Sequence, residues 1–295
     1  MLYLFNYLAI FCARTSQKIK ALLRAKMQIN TIHYKSSTNM AELKDNSIKL
    51  IITSPPYFNI KDYSQNKENY NENDIGNIDN YSLYIAQMLK TWKECERVLQ
   101  PNGKLCINVP LMPMLKSQLN THYNRHIYDL SSDIQQSILN NTGLYLMDIF
   151  IWNRTNPNPR RNAMFGSYPY PSNFYAQNTS EFIIVFVKDG KPKQVDKKIK
   201  ELSKLTQKEW LEYTKQIWNI PIPNKKDVAY GLHPAIMPEQ IPYRLIKMYS
   251  FVNDIVLDTF TGSGTTLKVA KELNRNYIGY EIYQQYKPLI EKKIS

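Results

Sequence analysis

Ser54-Pro55-Pro56-Tyr57 is a run in which each residue offers something to a flat ligand. The Ser54 hydroxyl and the backbone carbonyls accept hydrogen bonds, the two prolines hold those carbonyls in fixed directions through their locked φ, and Tyr57 supplies a ring face. A planar base with an exocyclic amine suits such a turn: its N–H groups meet the oxygens while its ring lies on the tyrosine. An ordinary strand-ending turn with a surface tyrosine reads the same way, so the run takes its meaning from a second one.

That second run is Asp258-Thr259-Phe260-Thr261-Gly262-Ser263-Gly264-Thr265-Thr266. Apolar Ile255 to Leu257 precede it and Leu267 to Ala270 follow, so it is a glycine-rich turn between a strand and a helix, with backbone amides and a helix N-terminus facing a ligand. It lacks the third glycine of a dinucleotide fingerprint, and Lys268 comes too late for a phosphate-binding P-loop. Asn276 to Glu281 reads as a further strand ending in a carboxylate, which can accept from ribose hydroxyls while the loop holds a nucleoside without a pyrophosphate.

Together these segments resemble the S-adenosylmethionine-dependent amino-methyltransferases of DNA. Ser54-Pro55-Pro56-Tyr57 is similar to their (Asp/Asn/Ser)-Pro-Pro-(Tyr/Phe) catalytic motif. Asp258 to Thr266 is similar to their Asp-Pro-Phe-x-Gly-Ser-Gly-Thr-Thr cofactor loop, with Thr259 where the family usually has proline. The catalytic motif lies first and the cofactor motif last, the permuted order of the β class of that family, and the resemblance runs from about Met27 onward. It implies an α/β fold: a doubly wound, mostly parallel, circularly permuted Rossmann-like methyltransferase sheet with an inserted target-recognition region. The implied segments are an N-terminal extension (1–26), a catalytic half (27–187), the insertion (188–227) and a cofactor-binding half (228–295).

For the site, the resemblance implies Ser54, Pro55, Pro56 and Tyr57 at the reacting amine. Around S-adenosylmethionine it implies Thr53, Asp258, Thr259, Phe260, Gly262, Ser263, Gly264, Thr265, Thr266 and Glu281. A segment like His233 to Pro242 precedes the cofactor loop in the family and helps to enclose the methionine end, which adds His233 and Pro238; the same residues also read as a proline-capped helix entry. No metal is expected. Serine at the first motif position is more typical of cytosine-N4 enzymes and aspartate of adenine-N6 enzymes. The expected activity is therefore site-specific methylation of cytosine N4 in duplex DNA by base flipping, within a restriction-modification system, with adenine N6 as the alternative. An RNA or protein methyltransferase and a non-catalytic DNA-binding protein are more distant readings. Double-stranded DNA is the expected partner, with a cognate restriction endonuclease and a second copy of the chain as possible further ones.

Composition agrees. With 295 residues, 43% of them hydrophobic and 12% aromatic, the chain can bury one substantial core plus a smaller appended region. A formal net charge of +13 suits a polyanionic partner, although a lysine-rich composition alone produces the same charge. Cys12, Cys95 and Cys106 have no paired spacing, which excludes a disulfide framework and a zinc site and fits a reducing cytoplasm.

The elements that must position these motifs can be read in order. Residues 1–26 carry an apolar run, Leu2 to Phe11, too short for a membrane span, then five basic residues. A strand over Ile29 to Tyr34 and a helical turn at Met40 to Leu43 precede a buried strand over Lys49 to Ile52. Asn59 to Asn80 reads as a mobile loop. Tyr81 to Leu99 is an amphipathic helix with Ile85, Met88, Leu89, Trp92 and Leu99 on one face, ending at Pro101-Asn102-Gly103, and a strand follows over Lys104 to Val109.

Beyond a polar stretch come a helix over Asp129 to Leu139 and strands over Leu144 to Trp152 and Glu181 to Val187. Between those strands, Asn153 to Arg161 is basic and proline-broken, and Met164 to Tyr175 is rich in aromatics and prolines. Arg154, Arg160 and Arg161 are candidate DNA contacts there, as are Lys197 and Lys198 in the lysine-rich insertion. A short helix over Trp210 to Trp218, a return to the core at Trp218 to Pro221 and another helix over Tyr243 to Tyr249 complete the pattern. If the Ile51 and Ile255 strands are neighbours where the strand order reverses, the two motifs share one crevice.

Overall fold

The computed structural model describes residues 27–58, 63–64, 71–114, 122, 126–155 and 166–295. The N-terminal extension and the candidate DNA contacts Arg160 and Arg161 lie outside the described residues.

The strands are β1 (Thr31–His33), β2 (Ile48–Thr53), β3 (Leu99–Pro110), β4 (Met112–Pro113), β5 (Ile127–Tyr128), β6 (Leu144–Thr155), β7 (Ser180–Lys188), β8 (Ile217–Pro221), β9 (Ile255–Asp258) and β10 (Asn276–Tyr280). The helices are α1 (Tyr81–Val98), α2 (Leu130–Asn141), α3 (Lys197–Leu202), α4 (Gln207–Tyr213), α5 (Gln240–Tyr249), α6 (Thr265–Glu272) and α7 (Lys287–Ile294). Apart from the β4–β5 ribbon, the strands form one eight-stranded sheet in the order β1-β10-β9-β2-β3-β7-β6-β8. Only β7 runs against its sheet neighbours, so the sheet is mostly parallel.

β2 explains itself from its composition. Ile48 and Ile51 enter one core cluster, with Met88 and Trp92 of α1 and Ile134 and Ile138 of α2. Leu50 and Ile52 point the other way, into a cluster with Ile241 and Leu245 of α5 and Val269 of α6. A strand buried on both faces reads as an unbroken apolar run, and helices on both faces make the fold doubly wound. α1 begins where Asn80 caps it, its side chain accepting from Leu83 N at 2.9 Å. The strand order reverses between β9 and β2, which pair with Leu50 opposite Val256 and Ile51 opposite Leu257. Residues some two hundred positions apart are thus adjacent in the sheet, with both motifs at the same edge.

Three expectations need revision. β3 begins at Leu99 rather than after Gly103: its register against β2 jumps from Ile48–Leu99 to Leu50–Lys104, and Asn102 takes φ 59°, so Pro101-Asn102-Gly103 is an excursion within the strand. The short helix expected over Trp210 to Trp218 is α4, started by a Thr206–Glu209 capping box. Trp218 lies instead in β8, fully buried and stacked on Phe150 with ring centroids 4.7 Å apart, so the last part of segment 188–227 is an integral edge of the main sheet. The described parts of the loop after Tyr57 are not loose either. Tyr63, Ser64 and Asp74 are buried, with Tyr283 Oη donating to Asp74 Oδ2 at 2.8 Å and Tyr286 Oη to the Tyr63 carbonyl at 2.8 Å.

Candidate active site

The turn that ends β2 is held from three directions. Ser54 Oγ donates to the Asn108 carbonyl at 3.1 Å, Tyr84 Oη donates to the Pro56 carbonyl at 2.8 Å, and Tyr57 N donates to Tyr63 Oη at 3.3 Å. The Ser54 proton is thereby committed to the wall, which leaves its lone pairs as acceptors. Burial pushes the Tyr57 phenol well above its usual range, with further upward influence from Glu181, so the ring is neutral.

The second motif is bonded directly to the first. Thr53 Oγ1 donates to Asp258 Oδ1 at 2.9 Å, and Thr259 Oγ1 donates to Thr53 Oγ1 at 3.0 Å. Thr259, the departure from the family pattern, therefore ties the cofactor-type loop to the catalytic-type strand. Phe260 N also donates to Asp258 Oδ1, at 3.1 Å. Burial nevertheless pushes the Asp258 carboxyl up to about 6, against hydrogen bonds from Phe260, Thr266 and Thr53.

The glycine loop turns where only glycine turns easily. Gly262 has φ 52° and Gly264 φ 86°. A Cβ on Gly262 would come 3.0 Å from His233 Nε2, so the histidine sits directly on the loop; its ring also lies 4.7 Å from that of Tyr286. Gly262 N donates to Glu281 Oε2 at 2.8 Å and Tyr283 N to Glu281 Oε1 at 2.9 Å. Even so, burial pushes the Glu281 carboxyl up to about 7.

These groups open onto one cavity of about 400 Å³. From the β10–β9 side it is lined by the Asp258 to Gly262 loop, Ser263, Thr265, Thr266 and Glu281, and from the β2–β8 side by Ser54 to Tyr57, Asn108, Trp152, Arg154, Glu181 and Ile222. Of the residues expected at the cofactor, Thr53, Pro238 and Gly264 are not on its wall; Thr53 stands behind it, bonded to Asp258 and Thr259. The Pro238 carbonyl accepts Ile241 N at 3.0 Å, starting α5, and Gly264 backs onto Ile290.

Lys197 and Lys198 are not brought to the site. Antiparallel β7 carries the chain to the opposite edge of the sheet, where α3 lies with Ser203 Oγ accepting Val252 N at 2.9 Å, just ahead of β9.

The sequence reading passed over Asn108 and Glu181. Both are buried, with Asn108 Nδ2 donating to Glu181 Oε2 at 2.7 Å. The available signal was a lone polar residue at the end of an otherwise apolar strand.

The cavity suits a nucleoside-bearing cofactor without a pyrophosphate. Its glycine cradle faces a buried carboxylate placed to accept hydroxyl hydrogens, and among the described residues no cluster fit for a metal ion occurs. Gly279 packs beneath this cradle: a Cβ there would come 2.5 Å from Thr261 Oγ1 and 2.7 Å from Leu267 Cδ1. Gly279→Ala is therefore expected to destabilise the fold by about 1–3 kcal/mol through overpacking, read by chemical denaturation, and to weaken cofactor binding as the loop shifts.

The fold and this crevice define a nucleoside-cofactor methyltransferase. A family model described as DNA methylase, covering N6- and N4-methyltransferases, matches residues 48–292, so the chain belongs to that family. As a DNA methylase it takes its methyl group from S-adenosylmethionine. It is 33% identical to the type II methyltransferase M.MjaI of Methanocaldococcus jannaschii, over 91% of this chain and 93% of that protein. Against the type II methyltransferase M.MthZI of Methanothermobacter thermautotrophicus it is 31% identical, over 90% of this chain and 76% of that protein. Among solved structures, the Thermus thermophilus protein TTHA0409 superposes with a TM-score of 0.68 at 25% identity, covering 90% of this chain and 94% of that one. The cytosine-N4-specific PvuII DNA methyltransferase shares the fold, with a TM-score of 0.63 at 20% identity over 90% of this chain and 86% of that one. Among the described residues no helix is long and apolar enough to cross a membrane.

Proposed function

We propose that the chain methylates the exocyclic N4 of cytosine at a specific site in duplex DNA, as the modification enzyme of a restriction-modification system. The observation that carries this reading is the Thr53–Asp258 hydrogen bond, which joins the two motifs into one cavity. Serine at position 54 favours cytosine, and the type II methyltransferases to which the chain is similar favour the restriction-modification setting.

When bound, S-adenosylmethionine supplies a methyl group on a sulfonium, an excellent leaving group, so the protein's task is chiefly positioning. Asp258, Glu281 and the Gly262 turn hold the cofactor, with Glu281 accepting from ribose hydroxyls and His233 closing over the loop. Ser54 Oγ and the Pro55 carbonyl accept the amine hydrogens, which favours a pyramidal nitrogen and stabilises the positive charge that develops on it. The base must leave the duplex to reach them, and the neutral ring of Tyr57 replaces the lost stacking. Of the basic residues considered for DNA, Arg154 is the one this proposal retains, because it lines the cavity.

Digesting plasmid methylated by the enzyme to nucleosides, and identifying the product by mass spectrometry, tests the reading. N4-methylcytosine is expected. N6-methyladenine would overturn the base assignment, and methyl transfer to RNA or protein in place of DNA would overturn the substrate.

A further inference from the structure

The base side of the cavity contains a fixed guanidinium. Arg154, at the site edge of β6, pairs through Nη1 with Glu181 Oε1 at 3.3 Å and donates through Nη2 to the Asn178 carbonyl. Glu181 in turn receives Asn108 Nδ2 at 2.7 Å, and the Asn108 carbonyl receives the Ser54 hydroxyl. One framework across β3, β7 and β6 therefore sets the distance between the amine-accepting turn and the guanidinium. Neighbouring donors on this wall are turned to the protein: Trp152 Nε1 bonds the Ile220 carbonyl at 2.8 Å, the Ser54 hydroxyl bonds the Asn108 carbonyl, and one Asn108 amide hydrogen goes to Glu181. Arg154 carries five N–H groups in a planar fork, two of them used by Glu181 and Asn178, and its side chain keeps 27% exposure.

A base anchored by its amine presents its neighbouring atoms in a fixed order. In cytosine, ring N3 and then O2 follow the amine, two acceptors in succession. In adenine, one acceptor, N1, is followed by a C–H. A rigid fork is satisfied twice by the first edge and once by the second, and a desolvated N–H left facing C–H is costly. We propose that Arg154, oriented by Glu181, is the specificity-determining residue that reads N3 and O2 of the extruded cytosine and so discriminates it from adenine. This inference rests on the proposed amine transfer at Ser54 and deepens it.

The test compares single-turnover methylation of two duplexes, identical except for cytosine or adenine at the target position, by the wild type, Arg154→Met and Glu181→Gln. Arg154→Met keeps the length of the side chain without its donors. It should lower the cytosine-over-adenine preference about 10- to 30-fold, the size of a good base-edge contact, almost wholly through loss of the cytosine rate. Cofactor affinity by calorimetry should stay within about twofold, because Arg154 lies on the side of the cavity away from the glycine loop. Glu181→Gln keeps an acceptor for Asn108 while removing the charge that holds the fork, so the same shift is expected at smaller size. It keeps the test open should Arg154→Met fold poorly.

A preference ratio unchanged in both variants, with the two rates falling together, would reduce Arg154 to a packing role and overturn the inference. A wild type that modifies only adenine would instead strike the cytosine assignment itself, whatever the variants do.

Discussion

Tyr57→Ala is expected to lower single-turnover methyl transfer about 100-fold while leaving the affinity for S-adenosylmethionine within about twofold. The magnitude follows from base–aromatic stacking, worth about 1–3 kcal/mol per base, because an extruded base without its ring partner spends less time in line with the methyl group. The split follows from position. Tyr57 stands just past the end of β2, whereas the groups that hold the cofactor stand at the end of β9, on the glycine loop after it and just past β10, with His233 packed on that loop. The turn itself should survive, because Tyr84 Oη on the Pro56 carbonyl, Ser54 Oγ on the Asn108 carbonyl and Tyr57 N on Tyr63 Oη do not involve the ring. Tyr57→Phe keeps the stacking face and should stay within about fivefold of wild type. Rapid-quench measurements with tritiated cofactor give the rate and calorimetry the affinity. Undiminished turnover in Tyr57→Ala would remove the stacking role.

Glu281→Gln should weaken cofactor binding on the order of 10- to 100-fold at about pH 8, and should flatten its pH dependence; the loss is that of charge-assisted hydrogen bonds. In the free protein, burial holds this carboxyl up at about 7. Ribose hydroxyls donating to it favour the ionised form, so binding lowers its pKa and releases a proton wherever the free group is protonated. Affinity in the wild type therefore rises with pH up to about 7 and levels off above it, with a loss of roughly tenfold between about pH 8 and pH 6.

For the free protein the sign is the opposite. A carboxyl whose folded pKa lies above its unfolded value binds more protons when folded, so the contribution of Glu281 to stability is greatest below about 4.5 and falls as pH rises towards 7. Asp258, pushed up to about 6, adds a second step on the acid side; Asp258→Asn should remove that step and leave the one near 7. Calorimetric titrations across this range separate the two. A wild-type affinity that does not change between pH 8 and pH 6 would exclude Glu281 as the ribose acceptor.

Residue types already declared the two motifs, the apolar strand before each and the helix over Tyr81 to Leu99, while the permuted order and the doubly wound class of sheet came from the resemblance that those motifs carry. Motifs, strands and helix are written locally. Continuous apolar runs mark strands buried on both faces, the 3.6-residue period of Met88 and Trp92 marks the core face of α1, and glycines at 262 and 264 mark a turn with positive φ. What the tertiary structure alone decided is which edge of the sheet each segment occupies and which polar groups meet there. Antiparallel β7 reverses the chain and carries Lys197 and Lys198 to the edge opposite the cavity, although their charge reads like that of Arg154. Arg154, Glu181 and Asn108 are far apart in sequence and become one hydrogen-bonded framework only through the register of β3, β7 and β6. Local pattern follows from backbone sterics and side-chain period. Strand direction and register follow from burying two faces of a sheet at once, a condition that no single segment carries.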